Sequence, residues 1–404
     1  MTEPSPTAAA MEASADAAPK PLSHGPRLVW LDVVKGISIL WIVFFHFFKQ
    51  FTHGRFPDPW LPHYFAKSLA LCAPGSAIET IACVGRAIFV AIAMFAFPAV
   101  GVFIVMSGFG LTYALAKTDS PPGGWLGWDR ARVIRLFPLY WTAHLIYLIS
   151  PFEARYDPID YRFILSFFGD RIYPTSIIEY LNPAWWYFGL IFELYLIFPI
   201  LYVLLHKVGA KWFLVACAGV TILCRYILLF NIIQTSGMVI TAFCGCRLWE
   251  FAFGMVLGVA YRKYHDWIEK RLFSTPALWG GILLYTAGLY CFNSRFTYIF
   301  MDALTGTGLF VILAHLSWHS RRLVRSEAFL AHVGVYSYGL YLIHEPYSTY
   351  FGVQMRWMTM PGFIIATAAI IAVITIACSR LERAINALVD RLLHHPGAPL
   401  AKAQ

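Results

Sequence analysis

The sequence predicts an all-α, polytopic integral membrane protein with about ten transmembrane helices. Of the 404 residues, 59% are hydrophobic and only 13% are charged, and the mean hydropathy is +0.62. These values lie far from those of soluble proteins. The chain also contains ten apolar runs of roughly membrane-spanning length, and basic residues gather after every second run.

The spans are predicted from apolar length, since a transmembrane helix needs about twenty apolar residues. The predicted spans are residues 33–51, 86–116, 136–150, 185–205, 212–230, 238–261, 278–292, 298–318, 333–351 and 362–379. The third run is short. The second has an alternative interpretation, because the isoleucine-rich residues 78–97 end before Pro98 and are compatible with a separate interfacial helix.

The basic residues predict the orientation. They follow the even-numbered spans, and cytoplasmic loops carry the excess of Lys and Arg. We therefore expect both termini in the cytoplasm. The net charge of +9 is explained by topology and by attraction to anionic lipid of the bilayer, so no nucleic-acid partner is expected.

The expected domain organisation is simple. Residues 1–26 are rich in Ala, Pro, Ser and Thr and are predicted to be a disordered cytoplasmic tail rather than a cleavable signal. Residues 27–383 form the transmembrane domain, and residues 384–404 form a second cytoplasmic tail.

Two substantial loops are predicted on the outer side, residues 52–85 and 151–184. Their aromatic residues are compatible with an interface belt and with an acceptor surface. Cys72 and Cys83 share the first loop, so a disulfide is one option in an oxidising compartment, although pairing cannot be read from sequence. No metal-ligand spacing and no phosphate-binding glycine loop occurs, so no metal is expected.

Lys35 and His46 lie in the same predicted first span. Eleven residues at 100° each place them within about 20° of one helix face and about 16 Å apart along the axis. Charge within hydrocarbon is costly, so such residues usually face a cavity or a partner. We expect these two residues to line a reaction path.

Arg132 and Arg135 lie three residues apart, on one helical face, at the mouth of the third span. Arginine is suited to binding phosphate with two parallel hydrogen bonds. The spacing alone is equally compatible with charges that only set the topology.

Other polar residues within the spans have structural explanations. Structural pairing is favoured for a group of four, which comprises Glu193, Arg225, Arg247 and Glu250, with Arg247 and Glu250 as a possible internal ion pair. Asp302 and His315 lie near the ends of the eighth run, where solvation or hydrogen bonding explains them. His344 and Glu345 are more typical of a site because two ionisable groups adjoin Pro346.

Five short motifs occur in order along the chain. They are Leu31-Asp32-x-x-Lys35-Gly36 with His46; Ser107-Gly108-Phe109; Arg132-x-x-Arg135 followed by Pro138 and Tyr140; Trp186 through Glu193 to Phe198-Pro199; and Ser337-Tyr338-x-x-Tyr341-Leu342-Ile343-His344. Together they resemble the acyltransferase-three family, integral-membrane acyltransferases that modify glycans and other hydroxyl compounds at bacterial surfaces. The resemblance covers about residues 27–383 and implies that the protein lies in a bacterial inner (plasma) membrane.

The resemblance implies specific roles. His46 matches the catalytic histidine, and Lys35 matches a position usually held by Arg or Lys. The expected donor-site residues, which would bind acyl-coenzyme A, are Arg132, Arg135, Ser107 and Tyr140. The expected supporting or acceptor residues are Asp32, Trp186, Glu193, His344 and Glu345.

The chain departs from the family pattern in three respects. Residues 52–97 form a long insertion, the acidic residue usual two positions after Gly101-Val102 is absent, and no fused esterase-like domain is expected. The chemistry nevertheless fits. Transfer of an acyl group from a thioester to a hydroxyl needs a base near neutral pKa, which His46 supplies. Lys35 is expected to hold the donor's phosphate or pantetheine end, or to pair with Asp32.

The sequence therefore predicts an O-acyltransferase that moves an acyl group, expected to be acetyl, from cytoplasmic acyl-coenzyme A to a hydroxyl of an extracytoplasmic or lipid-linked glycan. The alternative is a proton-coupled transporter or flippase in which His46, Glu193 and His344 form a pathway. A membrane sensor without turnover is the third class. An acyltransferase alone would release a thiol from acetyl-coenzyme A.

Overall fold

The computed structural model describes residues 28–57, 59, 63–72, 75–115, 121, 123–152, 157–230, 237–320 and 324–393. Every regular element within these ranges is helical, which confirms the all-α prediction. The predicted N-terminal tail and the end of the C-terminal tail lie outside the described residues.

The α-helices follow one another along the chain with short 3₁₀ turns between some of them. They are α1 (Val29–Thr52), α2 (Tyr64–Ala70), α3 (Ala77–Met94), α4 (Ala99–Leu115), α5 (Gly124–Ile149), α6 (Tyr161–Phe167), α7 (Trp186–Phe230), α8 (Gly237–Ala242), α9 (Leu248–Lys263), α10 (His265–Leu272), α11 (Thr275–Tyr290), α12 (Met301–Ser320), α13 (Val324–Val335), α14 (Ser337–Gln354) and α15 (Met360–Leu393).

Several of these helices are long and apolar enough to cross a membrane. Five meet both conditions within the described ranges, and the number rises to six if α10 and the helix after it, which meet at a 62° bend, form one broken span. The chain is therefore a polytopic membrane protein. The count of ten spans stays a prediction.

The second predicted span is not one helix. The structure ends α3 at Met94 and begins α4 at Ala99, so residues 86–115 include a break just before Pro98. Proline lacks the N–H that would continue the helical ladder and restricts the residue before it. A separate helix preceding Pro98 is therefore observed, but α3 is long and apolar enough to cross a membrane, so its interfacial position stays a prediction.

Other predicted spans are joined or interrupted. Gly209 has φ 79° and ψ 161°, a conformation that glycine adopts without strain, and it breaks α7 between the fourth and fifth predicted spans. A 3₁₀ turn at Cys244–Arg247 divides the sixth. Tyr336 separates α13 from α14 within the ninth. The last helix continues to Leu393, beyond the predicted start of the C-terminal tail.

Two close helix crossings explain glycines in the motifs. A Cβ atom on Gly36 would collide with the Leu330 carbonyl oxygen, and one on Gly334 would collide with the Asp32 carbonyl oxygen, so α1 and α13 touch along their backbones. Gly108 makes a similar approach to Phe251 between α4 and α9. Small residues at helix interfaces permit such contact in membranes. The Lys35-Gly36 and Ser107-Gly108 steps therefore have packing roles.

The predicted first outer loop contains α2 and most of α3. Cys72 and Cys83 form a disulfide, with their Cα atoms 6.4 Å apart, and the Arg86 guanidinium lies against both sulfur atoms at 3.3 and 3.5 Å. Ser76 and Glu79 close a capping box at the start of α3. The disulfide that the sequence left open is thus present.

Residues 157–185, the outer segment, belong to the second predicted outer loop and the start of the next predicted span, and they pack onto α5 and α14. Asp160 caps α6 by accepting the Arg162 backbone N–H at 2.9 Å, and hydrogen bonds from the Arg162 guanidinium lower the pKa of the Asp160 carboxyl. The short α6 helix supplies Ser166, which contacts side chains of α5. This segment positions the end of the bundle where two histidines meet.

Candidate functional site

His46 of α1 and His344 of α14 lie against one another. Their ring centroids are 5.1 Å apart and the ring planes are inclined by 64°. His344 is fully buried, while His46 is partly buried. The sequence predicted both residues but not their contact, because they come from opposite ends of the chain.

The hydrogen bonding of His344 identifies its tautomer. Nδ1 lies 2.7 Å from the Tyr341 carbonyl oxygen, which can only accept, so Nδ1 carries the proton and donates it. Nε2 of the neutral ring is then the lone-pair acceptor. This atom is enclosed by protein and has no hydrogen-bond partner among the described residues. An unsatisfied acceptor therefore lies in the ring that contacts His46.

Pro346 explains how α14 is held beside the histidines. In a regular helix the Leu342 carbonyl would accept the N–H of residue 346, but proline has none. Asn182 Nδ2 and Trp185 Nε1 donate to this carbonyl instead, at 3.0 and 2.7 Å. The outer segment thereby holds the helix turn that carries His344 and Pro346.

Tyr341 connects the same turn to α7. Its hydroxyl donates to the Ala184 carbonyl oxygen and accepts the Phe188 backbone N–H at 3.1 Å. Its ring lies 5.2 Å from that of Tyr187, whose hydroxyl interacts with the Ser107 side chain. The structure thus places the predicted residue Ser107 against Tyr187, between α4 and α7.

Lys35 does not share a contact with His46. Its Nζ lies 3.3 Å from Asp32 Oδ1, one helix turn away, which is the pairing that the sequence offered as an option. Eleven residues separate Lys35 from His46, or about 16 Å along the axis. The two catalytic candidates therefore occupy different depths of α1.

Arg132 and Arg135 lie close enough to repel one another electrostatically, and each has a distinct environment. The Arg132 guanidinium lies 5.3 Å from the Trp128 ring centroid, a cation–π contact, and its Nε is enclosed without a hydrogen-bond partner in the part of the chain that the structure describes. Arg135 interacts electrostatically with the carboxylate of Glu382 on the last helix. The structure thus brings the two predicted arginines together and adds an acid that the sequence analysis missed.

Tyr140 does not join these arginines. It lies eight residues beyond Arg132, about 12 Å along α5. Its hydroxyl donates to the Ser166 carbonyl oxygen at 2.9 Å and accepts Arg171 Nε at 3.1 Å, while its ring stacks on Phe188. Tyr140 therefore holds the outer segment against α5 in this structure.

The sequence analysis also missed His144 and Arg171. His144 is fully buried, contacts Ser166 Oγ at 2.8 Å through Nε2, and stacks on Trp185. Arg171 donates from Nη1 to the carbonyls of Ile177 and Tyr180 and lies over the same tryptophan. A His and an Arg without a recognisable motif carried no sequence signal that would have found them.

A buried ion network occupies another part of the bundle. Arg247 Nε binds Glu250 Oε1 at 2.7 Å, as the sequence suggested. Asp302 bridges the network by accepting Arg225 at 2.5 Å and Arg247 at 3.2 Å, so it is buried and ion-paired rather than solvated. Glu193 stands apart and accepts the Cys244 backbone N–H at 3.2 Å.

The remaining predicted residues have local contacts. Glu345 accepts a hydrogen bond from Thr349 Oγ1 at 3.0 Å, and the Trp186 ring lies 6.1 Å from that of Tyr187. His315 stacks on His319 at the end of α12. Within the described ranges, no group of three or more His, Cys, Asp or Glu side chains is placed to hold a metal ion.

Comparison with protein families identifies the chain. The model of the acyltransferase-three family, described as an acyltransferase domain, matches residues 28–379, which is most of the sequence. Neither a search of curated proteins nor one of solved structures finds a match. The matched region includes both histidines and both arginines. The chain therefore belongs to the acyltransferase-three family and is an integral-membrane acyltransferase.

Proposed function

We propose that the protein is an O-acyltransferase that moves an acyl group, acetyl in the simplest case, from cytoplasmic acyl-coenzyme A to a hydroxyl of an extracytoplasmic or lipid-linked glycan. The observation that carries the proposal is the contact between His46 and His344, with the unpartnered Nε2 of His344 in the same enclosed place. Activation of a hydroxyl needs a base that removes its proton, here His46, and an acceptor that binds the second N–H of that base, here His344.

In the proposed reaction His46 removes the proton from the acceptor hydroxyl as its oxygen attacks the thioester carbonyl. The carbon–sulfur bond breaks when the tetrahedral intermediate collapses, and the proton passes from His46 to the departing thiolate. The two rings touch without a hydrogen bond in this structure, and the proposal is that His344 Nε2 accepts the other N–H of His46 when the substrates are bound, which would orient the ring and stabilise its charged form. This role parallels that of the carboxylate in a Ser-His-Asp triad.

The donor is proposed to bind at Arg132 and Arg135, where two guanidinium groups suit phosphate oxygens. A small apolar gap lies between α5, α14 and α15 and is lined by Leu139, Ala143, Ile146, Gly339, Leu342, Ile343, Cys378 and Leu381. It runs from a point one turn beyond Arg135 to Ile343, the neighbour of His344. The gap is too narrow for a water molecule in this structure, so the donor's arm would have to part these helices to reach the histidines.

The distance along α5 is compatible with a donor whose thioester lies at the end of a long arm. Arg135 and Ile146 are eleven residues apart on α5, or about 16 Å. Acyl-coenzyme A bears its thioester at the end of an extended pantetheine arm, so phosphates at the arginines and an acyl group near the histidines are compatible.

The Cys72–Cys83 disulfide supports an oxidising environment for the first predicted outer loop. Together with the basic residues it favours cytoplasmic termini, a bacterial inner membrane and an acceptor on the outer side.

The test is thiol release from acetyl-coenzyme A by purified protein, with and without a glycan acceptor, for the unmutated protein and for His46→Ala. We expect His46→Ala to lose about 10²- to 10⁴-fold in rate while remaining folded, because a general base is removed. Surface glycans of cells with and without the protein, compared by mass spectrometry, identify the acceptor and the acyl group. Glycan transport without thiol release would instead support the transporter alternative.

A further inference from the structure

Arg383 lies on α15 just beyond the last predicted span, and it belongs to none of the motifs. Its Nε donates to the Ser379 carbonyl oxygen at 3.0 Å, one turn earlier on the same helix. Its guanidinium carbon lies 5.6 Å from the centroid of the Tyr336 ring, a cation–π contact with the residue that precedes α14. Two contacts therefore hold this guanidinium in place.

The two Nη groups of Arg383 remain for a ligand. A guanidinium has five N–H donors in one plane, and the contact with Ser379 uses only the one on Nε. The side chain is exposed, and neither Nη nitrogen has a hydrogen bond or ion pair within the described ranges. Such an edge is suited to binding two oxygens of a phosphate.

Gly339 shows where α5, α14 and α15 meet. A Cβ atom on Gly339 would lie 3.6 Å from Leu139 Cδ2 on α5 and 3.6 Å from Cys378 Cβ on α15. Arg135 is four residues before Leu139, and Arg383 is five residues after Cys378. Because α15 runs in the opposite direction to α5 in the predicted topology, both arginines lie on the cytoplasmic side of this meeting point, each a little over one turn away.

The start of α14 connects the two arginine-bearing helices at this level. The Tyr338 hydroxyl donates to the Leu136 carbonyl oxygen at 2.8 Å, and Leu136 directly follows Arg135. Tyr336, two residues before Tyr338, contacts Arg383 through its ring. The start of α14 therefore lies between α5, which carries two arginines, and α15, which carries a third.

The small apolar gap between the same three helices begins at this end. Its lining includes Gly339 and Leu381, and Leu381 is two residues from Arg383. A donor whose arm enters the gap would leave its nucleotide at the cytoplasmic end. Coenzyme A carries a diphosphate and a separate 3′-phosphate monoester, and a phosphate monoester alone has a charge of about −1.5 to −2 at pH 7. Two arginines leave part of this charge uncompensated, so a third cation is favourable there.

We infer that Arg383, held by the Tyr336 ring, is a third phosphate-binding residue of the donor site. Its Nη groups bind a phosphate of acyl-coenzyme A from α15, while Arg132 and Arg135 act from α5. The inference rests on the proposed function. It extends the donor site beyond the Arg132-x-x-Arg135 motif to the last helix.

The first test is donor affinity in Arg383→Gln, measured by calorimetry with coenzyme A in nanodiscs. Loss of a charge-assisted contact should raise the Kd about tenfold or more. Arg383→Lys should be intermediate, because lysine keeps the charge but lacks the planar fork. Arg380→Gln is the matched control, since it removes the same charge from an exposed position on the same helix, and it should bind as the unmutated protein does.

The role of the ring is tested by two variants of Tyr336. Tyr336→Phe keeps an aromatic face under the guanidinium and should retain full affinity for coenzyme A. Tyr336→Leu removes that face and should weaken binding in the same direction as Arg383→Gln. Unchanged affinity in Tyr336→Leu would overturn the part of the inference that concerns the ring.

Shortened donors separate phosphate binding from a structural role. We compare kcat/KM for thiol release from acetyl-coenzyme A, its 3′-dephospho form and acetyl-pantetheine, in the unmutated protein and in Arg383→Gln. The loss caused by the substitution should vanish with acetyl-pantetheine, which has no phosphate. If it vanishes already with the 3′-dephospho donor, the 3′-phosphate is the bound group; if it persists there, the diphosphate is.

An equal loss with all three donors, or no loss with acetyl-coenzyme A, would overturn the inference and leave the proposed function intact. An unmutated protein that neither binds coenzyme A nor releases thiol would instead overturn the proposed function, so the two failures are distinguishable. Thermal unfolding of each variant confirms that the data come from folded protein.

Discussion

The imidazole rings of His46 and His344 lie 5.1 Å apart, and the Nδ1 hydrogen bond of His344 to the Tyr341 carbonyl leaves its Nε2 as an acceptor. His46 comes from the first helix and His344 from the next-to-last, so the pair exists only in the folded bundle. Asn182 and Trp185 donate to the Leu342 carbonyl, which Pro346 leaves without its helical partner. These two hydrogen bonds hold the turn of α14 that carries His344.

If His344 orients His46, its removal should slow the chemical step and leave donor binding intact. We expect His344→Ala to lower kcat for acyl transfer by about 10²-fold, at the lower end of what a positioned proton acceptor contributes, with an unchanged Kd for coenzyme A. His319→Ala, which changes a stacked histidine on α12, is the control and should retain full activity. A His344→Ala protein with normal kcat would show that the pair has only a packing role.

Arg132 and Arg135 should determine donor affinity. Loss of one charge-assisted contact in Arg132→Ala should weaken coenzyme A binding by about 1.5 to 3 kcal/mol, or about ten- to more than a hundredfold in Kd. Arg135→Lys should also be impaired, because lysine keeps the charge but lacks the planar fork. Calorimetry on these variants and on Arg391→Ala, an exposed arginine of the last helix, decides the matter. If all three match the unmutated protein, the pair sets topology only.

The Leu342 carbonyl provides a test of how the site is held. Either Asn182 or Trp185 alone can satisfy it, so Asn182→Ala and Trp185→Phe should each cost less than the loss of both. In the double variant the buried carbonyl has no donor, and we expect an additional cost of about 1 to 3 kcal/mol in the free energy of unfolding.

The measurement for this pair is unfolding in detergent for both single variants and the double variant. Asn293→Ala, which removes an exposed amide hydrogen bond, is the control. Strictly additive losses would show that the two donors do not share the carbonyl.

The crossing of α1 and α13 should not tolerate a methyl group. Gly334→Ala would force Cβ into the Asp32 carbonyl oxygen, so we expect a destabilisation of about 1 to 3 kcal/mol or more. Gly280→Ala, on α11 with open space around the position, should be neutral or stabilising because alanine favours helix. Thermal unfolding in detergent compares the two variants. Equal stability would mean that α1 and α13 do not approach one another as closely as the structure shows.

The orientation is testable independently of activity. A reporter fused after residue 325 should be cytoplasmic, and one inserted near Asp157 should be external, because basic residues mark the inner loops. After reduction, Cys72 and Cys83 should react with a membrane-impermeant thiol reagent added to intact spheroplasts. Reversed reporter signals would place the donor site on the outer side of the membrane.

Composition and local pattern alone determined the fold class. Apolar runs predict helices because hydrocarbon offers no partner for backbone groups, so each spanning segment must satisfy its own. The same local rules offered the break at Pro98 as an alternative, and the motifs singled out His46, Arg132, Arg135 and His344 as candidate site residues. The Arg247–Glu250 pair was also readable, because three residues along a helix bring side chains together.

Only the tertiary structure decided which of these residues meet. It joined His46 to His344, bridged two arginines with Asp302, and assigned Tyr140 to the outer segment. The physical reason is that helical periodicity fixes neighbours within one helix, whereas contacts between helices depend on crossing angles and close backbone approaches. Those depend on glycine positions and on hydrogen bonds such as those to the Leu342 carbonyl, which pair residues far apart in the chain.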